Sequence, residues 1–143
     1  EPWYKYGFIS SQYIPIHIKE MFISLPKFID NPPFVIPSLF ALAIWFTTPA
    51  FILVLFARFK TKLCLAALAA LIAIALPSLM HGGNGFTQFG YRHTLDYLPF
   101  ILLLTASGMQ GKVMFWMKFL IILSIAVNLW GVIMISHLNI WTF

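Results

Sequence analysis

Long runs of apolar residues dominate this chain, and they restrict it to structures that satisfy their own backbone hydrogen bonds. Between the runs lies one polar, glycine-bearing segment, residues 81–100. Hydrophobic residues make up 61% of the chain and charged residues only 9%, whereas soluble domains carry roughly 25% charged residues. So few charges cannot cover a water-facing surface, and within lipid only helices and closed barrels satisfy the backbone. The sequence therefore predicts an all-α integral membrane protein.

The positive charge of the chain predicts membrane orientation, not a nucleic-acid partner. The formal net charge is +5, but the nine Lys and Arg residues are scattered except for one short cluster, Arg58, Lys60 and Lys62. Positive residues accumulate in the cytoplasmic loops of membrane proteins, so this cluster predicts a cytoplasmic loop. The single cysteine, Cys64, excludes an internal disulfide and is interpreted as a small buried hydrophobe.

The apolar runs predict about four transmembrane helices within a domain that covers residues 37–143. Pro49 is expected to kink the first helix, and Pro77 is expected to disturb the outer end of the second. The second and third helices are short on either side of the polar segment, which predicts a re-entrant, Gly-rich loop on the external side. The predicted spans are 37–57, 63–80, 97–110 and 113–136.

Residues 1–36 predict an external segment that lies along the membrane interface. From Tyr13 to Ile29 apolar residues recur at nearly helical spacing, with charged residues largely between them. This pattern is typical of an amphipathic interfacial helix, and Pro26 should end or kink it. Asp30 to Pro33 should form a turn. The alternative is that the helix packs against further spans upstream. The chain begins without a signal-peptide pattern, so we expect it to be the C-terminal piece of a longer protein, with a processed small protein as the alternative.

Arg92 and Asp96 are the two charged residues of the polar segment, and the pair has a structural and a functional interpretation. Their spacing would allow them to pair across one helical turn. In the structural interpretation, Asp96 caps a helix that begins at Tyr97 and Arg92 neutralises it. In the functional interpretation, Arg92 faces an outward-opening aqueous cavity and binds a phosphate, which a planar guanidinium contacts bidentately. The sequence leaves both open.

The other polar residues of the segment add candidate substrate contacts but no recognisable catalytic or metal motif. Gln88, Tyr91 and His93 lie beside Arg92 in the sequence. His93 has no partner carboxylate that would mark it as a general base, so the catalytic residues are not identified. The four histidines lack metal-ligand spacing, and the glycines lack the Lys-Ser/Thr of a P-loop. The sequence predicts neither a metal nor a cofactor.

The segment GFTQFGYRHTLDYLPFILLL, residues 85–104, resembles the C-terminal part of bacterial multi-spanning membrane proteins of the GT-C glycosyltransferase type. The related motif reads approximately Q-F-G-Y-R-(aromatic)-S/T-L-D-F-L-P-F, and this chain has His93 in place of the aromatic residue. Hydropathy extends the likeness over most of residues 13–132. Gln88, Tyr91, Arg92 and Asp96 match the shared motif.

The resemblance implies an enzyme that moves a sugar from a polyprenyl-phosphate-linked donor to an acceptor on the outer face of a bacterial inner membrane. It also implies that the catalytic acidic residue lies in a first external loop, upstream of this chain. Our hypothesis is that Arg92 contacts the donor phosphate and that Asp96 orients Arg92. The expected partners are the lipid bilayer, the upstream helices of the parent chain and the lipid-linked sugar.

Two other classes of function fit the same residues. The broken helices around residues 81–96 could form the midplane substrate site of a transporter or of a membrane-assembly subunit. The chain could also be purely structural scaffold, with every polar residue serving packing. Upstream sequence discriminates between them, because an acidic first external loop favours a transferase and an inverted set of broken helices favours a transporter.

Overall fold

The computed structural model describes residues 4–38, 40–83, 85 and 88–137, and these residues are mostly helical. A 3-10 turn at Ser11–Tyr13 leads into the first α-helix, and a longer 3-10 helix, Pro49–Phe56, follows the second. Two short strands, β1 (Lys27–Phe28) and β2 (Val35–Ile36), lie between the first and the second α-helix. The α-helices are α1 (Ile14–Phe22), α2 (Ile44–Thr47), α3 (Lys62–Met80), α4 (Thr94–Gly108) and α5 (Phe115–His137).

Two of these helices, α3 and α5, are long and apolar enough to cross a membrane. Only 17% of the most apolar window of each is buried inside the protein, whereas the core helix of a soluble protein would be mostly buried. Their exposed apolar surface indicates membrane association, because lipid is the environment in which such surface is stable. The helix α4 is shorter. The prediction of four spans is therefore not confirmed, although the prediction of a mainly helical membrane protein is supported.

The predicted span over residues 37–57, with a kink at Pro49, is not one helix. Among its described residues the structure has α2 and the 3-10 helix Pro49–Phe56, and the backbone between them is non-helical at Thr48. The expected interruption at Pro49 is present, because Pro49 lacks the N–H that would continue α2. The helix α5 supplies the missing partners: Ala50 N–H donates to the Ser124 hydroxyl at 3.1 Å, and Asn128 Nδ2 donates to the Thr47 carbonyl at 2.8 Å. Asn128 of α5 thus bonds to the last residue of α2.

The stretch that precedes α2 is irregular yet completely buried. Ala41, Leu42 and Ala43 have no exposed surface. Their backbone is paired with distant segments: Leu42 N–H donates to the Phe89 carbonyl at 3.0 Å, and Ala43 N–H donates to the Ser24 carbonyl at 2.8 Å. Irregular backbone of this kind is tolerated in an apolar environment only where protein groups satisfy it. This segment was predicted as the start of a helix, and apolar composition alone could not show otherwise.

The helices on either side of the polar segment differ in how well they were predicted. α3 runs through Pro77 and ends at Met80, the predicted end, whereas α4 begins at Thr94 rather than at Tyr97. Pro77 removes one backbone donor, but the Ser78 hydroxyl donates to the Ile74 carbonyl at 3.1 Å and adds a bond in that turn. The expected disturbance of the second span by Pro77 is therefore not seen.

The helix α4 packs against both α3 and the 3-10 helix Pro49–Phe56. Cys64, Ala67 and Leu104 form a buried cluster, and Cys64 is 2% exposed as predicted. A Cβ built on Gly108 would lie 1.9 Å from the Leu53 carbonyl oxygen, so only glycine permits this approach of two backbones. The end of α4 is thereby fixed against the 3-10 helix.

The N-terminal segment contains a shorter helix than predicted and a hairpin that was not predicted. α1 ends at Phe22, before Pro26. The predicted turn is confirmed: Phe34 N–H donates to the Asn31 carbonyl at 2.9 Å. The turn connects β1 and β2, which pair antiparallel with Lys27 opposite Ile36. Strands of two residues leave no periodicity that a sequence pattern could reveal.

Candidate functional site

The helix α1 buries its polar side and exposes its apolar side. Tyr13 at its N-cap, His17 and Glu20 lie on one face and are buried, whereas Ile18 and Phe22 on the opposite face are exposed. Spacing of three and four residues places the buried three in one row. The apolar face is thus free for lipid, as an interfacial helix requires. The polar row, which was not predicted to face the protein, contacts the segment that follows α3.

His17 joins three separate parts of the chain. Its Nε2 lies 2.8 Å from the His81 carbonyl oxygen, and its Nδ1 lies 2.7 Å from the Tyr91 hydroxyl. A carbonyl only accepts, so Nε2 carries the hydrogen in the neutral ring and Nδ1 accepts from the tyrosine. His17 and Tyr91 are 1% and 2% exposed. These bonds position the residue next to Arg92 with respect to α1 and α3.

His81 and His93 complete a group of four rings, here called the histidine cluster: His17, His81, Tyr91 and His93. The ring centroid of His93 lies 5.6 Å from that of His17, 6.0 Å from that of His81 and 5.5 Å from that of Tyr91. His93 Nε2 lies 3.1 Å from the Gly83 carbonyl and donates to it. Gly83 N–H in turn donates to His81 Nδ1 at 3.0 Å. These bonds therefore join the beginning of the polar segment, at His81 and Gly83, to His93 near the start of α4.

Burial sets the protonation state of His17, Tyr91 and His93. Removal from water lowers the pKa of His17 and that of His93. The same effect raises the pKa of the Tyr91 hydroxyl, which stays neutral and donates. At neutral pH His17, His93 and the Tyr91 hydroxyl are therefore uncharged. Their chemistry is that of hydrogen bonding and positioning, since nothing here creates a charged nucleophile.

The pairing of Arg92 with Asp96 is not formed, so the hypothesis that Asp96 orients Arg92 lacks its contact. Arg92 lies in the turn before α4, and a spacing of four brings side chains together only when both residues are helical. Asp96 instead lies 3.9 Å from His93 Nδ1, with more than half of its side chain exposed. It does not cap α4 either, because His93 occupies the N-cap and makes no side-chain cap bond.

Arg92 borders a cavity of about 430 Å³ between α2, α4 and α5. Gln88 and Tyr91 also line it, and the Arg92 N–H donates to Gln88 Oε1 at 3.3 Å. The Gln88 side-chain amide donates to the Phe40 carbonyl, which ties the loop to the buried irregular stretch. The remaining lining residues are largely apolar: Ile44, Thr47, Thr48, Phe51, Phe89, Gly90, Thr94, Leu95, Leu98 and Asn128.

The structure divides the predicted site residues into two groups. Gln88, Tyr91 and Arg92 line the cavity, whereas His93 and Asp96 do not and lie on the side of the histidine cluster. Sequence reasoning missed His17, which is 74 residues from Tyr91 in the chain. Its only local signal was the row that it forms with Tyr13 and Glu20, and the apolar residues of the same helix masked that row.

Within the described ranges, no group of three His, Cys, Asp or Glu side chains is arranged to hold a metal ion. Comparisons with protein-family models, with curated proteins and with solved structures return no match to this chain.

Proposed function

We propose that this chain is the C-terminal membrane part of a glycosyltransferase that takes a sugar from a polyprenyl-phosphate-linked donor on the outer face of a bacterial inner membrane. The resemblance of residues 85–104 to the GT-C type supports this function. The observation that carries it is the cavity beside Arg92, in which one exposed guanidinium borders mainly apolar walls.

The composition of this cavity suits an amphiphile with one anionic group. An arginine offers five donors in a planar fork and holds phosphate more strongly than a neutral donor does. Ile44, Phe51 and Leu98 provide apolar surface for a hydrocarbon chain. The volume of about 430 Å³ is sufficient for the phosphate and the first part of such a chain, not for a whole polyprenyl lipid. The rest of the lipid would lie in the bilayer.

The sugar-transfer step itself is assigned to no residue of this chain. The resemblance places the catalytic carboxylate in an upstream external loop. The role proposed for Arg92 and its neighbours is to bind the donor phosphate and to hold it within reach of the catalytic carboxylate in that loop. Tyr91 and His17 serve as positioning residues, because their hydrogen bond fixes the backbone beside Arg92.

A photoreactive polyprenyl phosphate tests the proposal on the purified chain in lipid nanodiscs. We expect crosslinks to cavity residues on α2 and α4, and we expect Arg92→Ala to weaken binding about 10- to 100-fold, as loss of a charge-assisted contact does. Arg92→Lys should retain part of the affinity, because it keeps the charge but not the fork. Lys27→Ala, an exposed cation in β1, is the matched control.

Two results would contradict the proposal. The first is equal crosslinking by a polyprenol that lacks the phosphate, because the guanidinium would then have no function in binding. The second is unchanged affinity in Arg92→Ala while Lys27→Ala lowers it. Donor consumption by membranes that contain the full-length protein then tests whether the bound lipid is a substrate.

A transporter or assembly subunit is the second candidate, and one observation favours it. The break between α2 and the 3-10 helix Pro49–Phe56 lies at the cavity, as Thr48 lines it. Interrupted helices beside a midplane cavity are typical of secondary transporters. Uptake of the lipid-linked sugar or of free sugar into proteoliposomes, without any transfer to an acceptor, would favour this candidate. A chain that binds no lipid phosphate and moves no solute would be scaffold.

A further inference from the structure

At one end of the molecule, all the charged residues that the structure describes are positive. α3 and α5 begin there, and α4 ends there, as the 3.2 Å bond from Arg58 N–H to the Ser107 hydroxyl shows. Five exposed cations lie at this cationic end, whereas no Asp or Glu occurs between Asp30 and Asp96 or after Asp96. Two helix N-termini add to the positive potential. The five residues of the cationic end are Arg58, Lys60, Lys62, Lys112 and Lys118.

A second cavity, of about 460 Å³, opens at this end. Lys112 is its one charged lining residue. Aromatic and thioether side chains form most of the remainder, and the rings of Phe56 and Trp116 meet edge to face with centroids 5.8 Å apart. The cavity therefore combines one cation with an apolar wall. The other lining residues are Gly108, Met109, Gln110, Met114 and Met117.

The turn that carries Lys112 is built to a fixed shape. Gln110 and Gly111 both adopt positive φ, at 52° and 78°, and Lys112 N–H donates to the Met109 carbonyl at 3.0 Å. Arg58 is held beside the same turn, because its N–H bonds to Ser107, the residue before Gly108. Lys112 thus lines the cavity, and the backbone of Arg58 lies beside it, two residues after Phe56 of the cavity wall.

We propose that this cavity binds one acidic phospholipid of the adjacent leaflet. Its phosphate lies between Lys112 and Arg58, and the start of one acyl chain lies along Phe56 and Trp116. Charge complementarity carries the choice of ligand, since the part of the chain that the structure describes places no Asp or Glu at this end to neutralise the cations. The apolar wall selects a lipid over free phosphate, because inorganic phosphate would gain nothing from aromatic and thioether surface.

This site is independent of the donor site proposed above. The two cavities lie at opposite ends of α4, which at about 1.5 Å per residue spans roughly 20 Å. They share no lining residue. Loss of either function therefore leaves the other measurable.

Native mass spectrometry tests the proposal. The full chain is released from nanodiscs of phosphatidylcholine that contain about 20% phosphatidylglycerol. We expect one phosphatidylglycerol to stay bound. The double variant Arg58→Gln/Lys112→Gln should bind it about 10- to 30-fold more weakly, as expected for two basic groups near a lipid phosphate. The variant Lys5→Gln/Lys27→Gln removes the same net charge from exposed residues elsewhere and should bind it normally.

A second variant separates the cavity from the surface charge. Met114→Trp keeps every cation but adds bulk to the cavity wall, so it should also displace the lipid. Arg58→Lys/Lys112→Arg keeps the charges and should bind as the parent chain does, which shows that the loops still fold. The proposal is overturned if Lys5→Gln/Lys27→Gln lowers binding equally, if Met114→Trp has no effect, or if phosphatidylcholine or inorganic phosphate displaces the phosphatidylglycerol.

Discussion

The two ends of this molecule are held together in different ways. At the histidine cluster, side chains from α1 and from the segment after α3 exchange hydrogen bonds, with the His17–Tyr91 bond at 2.7 Å. At the cationic end, backbones meet directly, with the Gly108 position against the Leu53 carbonyl. The first end depends on polar groups being satisfied, and the second depends on the absence of a side chain.

The difference teaches where each end can tolerate change. A buried polar network loses stability when one partner disappears, because the other partner stays buried without its bond. A close backbone contact loses stability when any atom is added, since the packed interior has no room to move. Deletion should therefore damage the histidine cluster, and addition should damage the cationic end.

The largest expected effect is at Gly108. Gly108→Ala places a methyl group against the Leu53 carbonyl and should destabilise the protein by about 2–4 kcal/mol, as overpacking against backbone does. Gly131→Ala should cost less, because the added Cβ meets the ring of Phe89, which can rotate away. Gly90→Ala, whose Cβ would make only ordinary contact with Thr47, is the control. Thermal unfolding in detergent measures all three, and equal values would refute the distinction.

The next effect is at His17. His17→Phe leaves the Tyr91 hydroxyl and the His81 carbonyl without their buried partner and should cost about 1–3 kcal/mol. Tyr91→Phe removes one hydroxyl from the same network, so the double variant should cost less than the sum of the two single variants. Tyr6→Phe, at an exposed tyrosine, is the control. Strict additivity in the same unfolding assay would mean that the two residues act separately.

The smallest effect is a dependence of stability on pH that only the histidine cluster should show. Burial lowers the pKa of His17 and of His93 in the folded state, so the unfolded chain binds protons more readily. Stability should be complete above the ordinary histidine pKa of about 6.5 and should fall below it, by at most about 1.4 kcal/mol per pH unit for each histidine.

Unfolding midpoints at pH 7.5, 6.5 and 5.5 (about one unit apart, spanning the ordinary histidine pKa) measure this slope. His17→Gln should flatten it, whereas Gly131→Ala should lower every midpoint without changing the slope. A midpoint that rises on acidification would show that a group with a raised pKa dominates instead.

The long apolar helices could be predicted from the chain, because apolar length is a local property. The bounds of α5 differ from the predicted span by two residues at the start and one at the end. The turn at Gly108 to Lys112 and the turn before Phe34 both follow from Gly and Pro chemistry. The break between α2 and the 3-10 helix Pro49–Phe56 was visible only as Pro49, whose effect depends on partners that α5 supplies.

The candidate site was harder to predict, because its contacts join distant residues. Arg92, Gln88 and Tyr91 were identified by their place in a polar segment, and all three line the cavity. His17 could not be identified, since nothing near it in sequence shows that α1 turns its polar side inwards. The expected pairing of Arg92 with Asp96 was wrong because spacing was interpreted as helical in a region that is a turn.

The bonds between the buried irregular stretch and the polar loop impose an order on assembly. The Gln88 amide meets the Phe40 carbonyl across 48 residues of chain. During synthesis the Leu42 N–H is made before its partner, the Phe89 carbonyl, which follows only after α3 has been completed. Unpaired backbone in hydrocarbon costs several kcal/mol per group. The earlier segment therefore has to stay in water or against other protein until residues 88 and 89 have been synthesised. The centre of this fold consequently forms late.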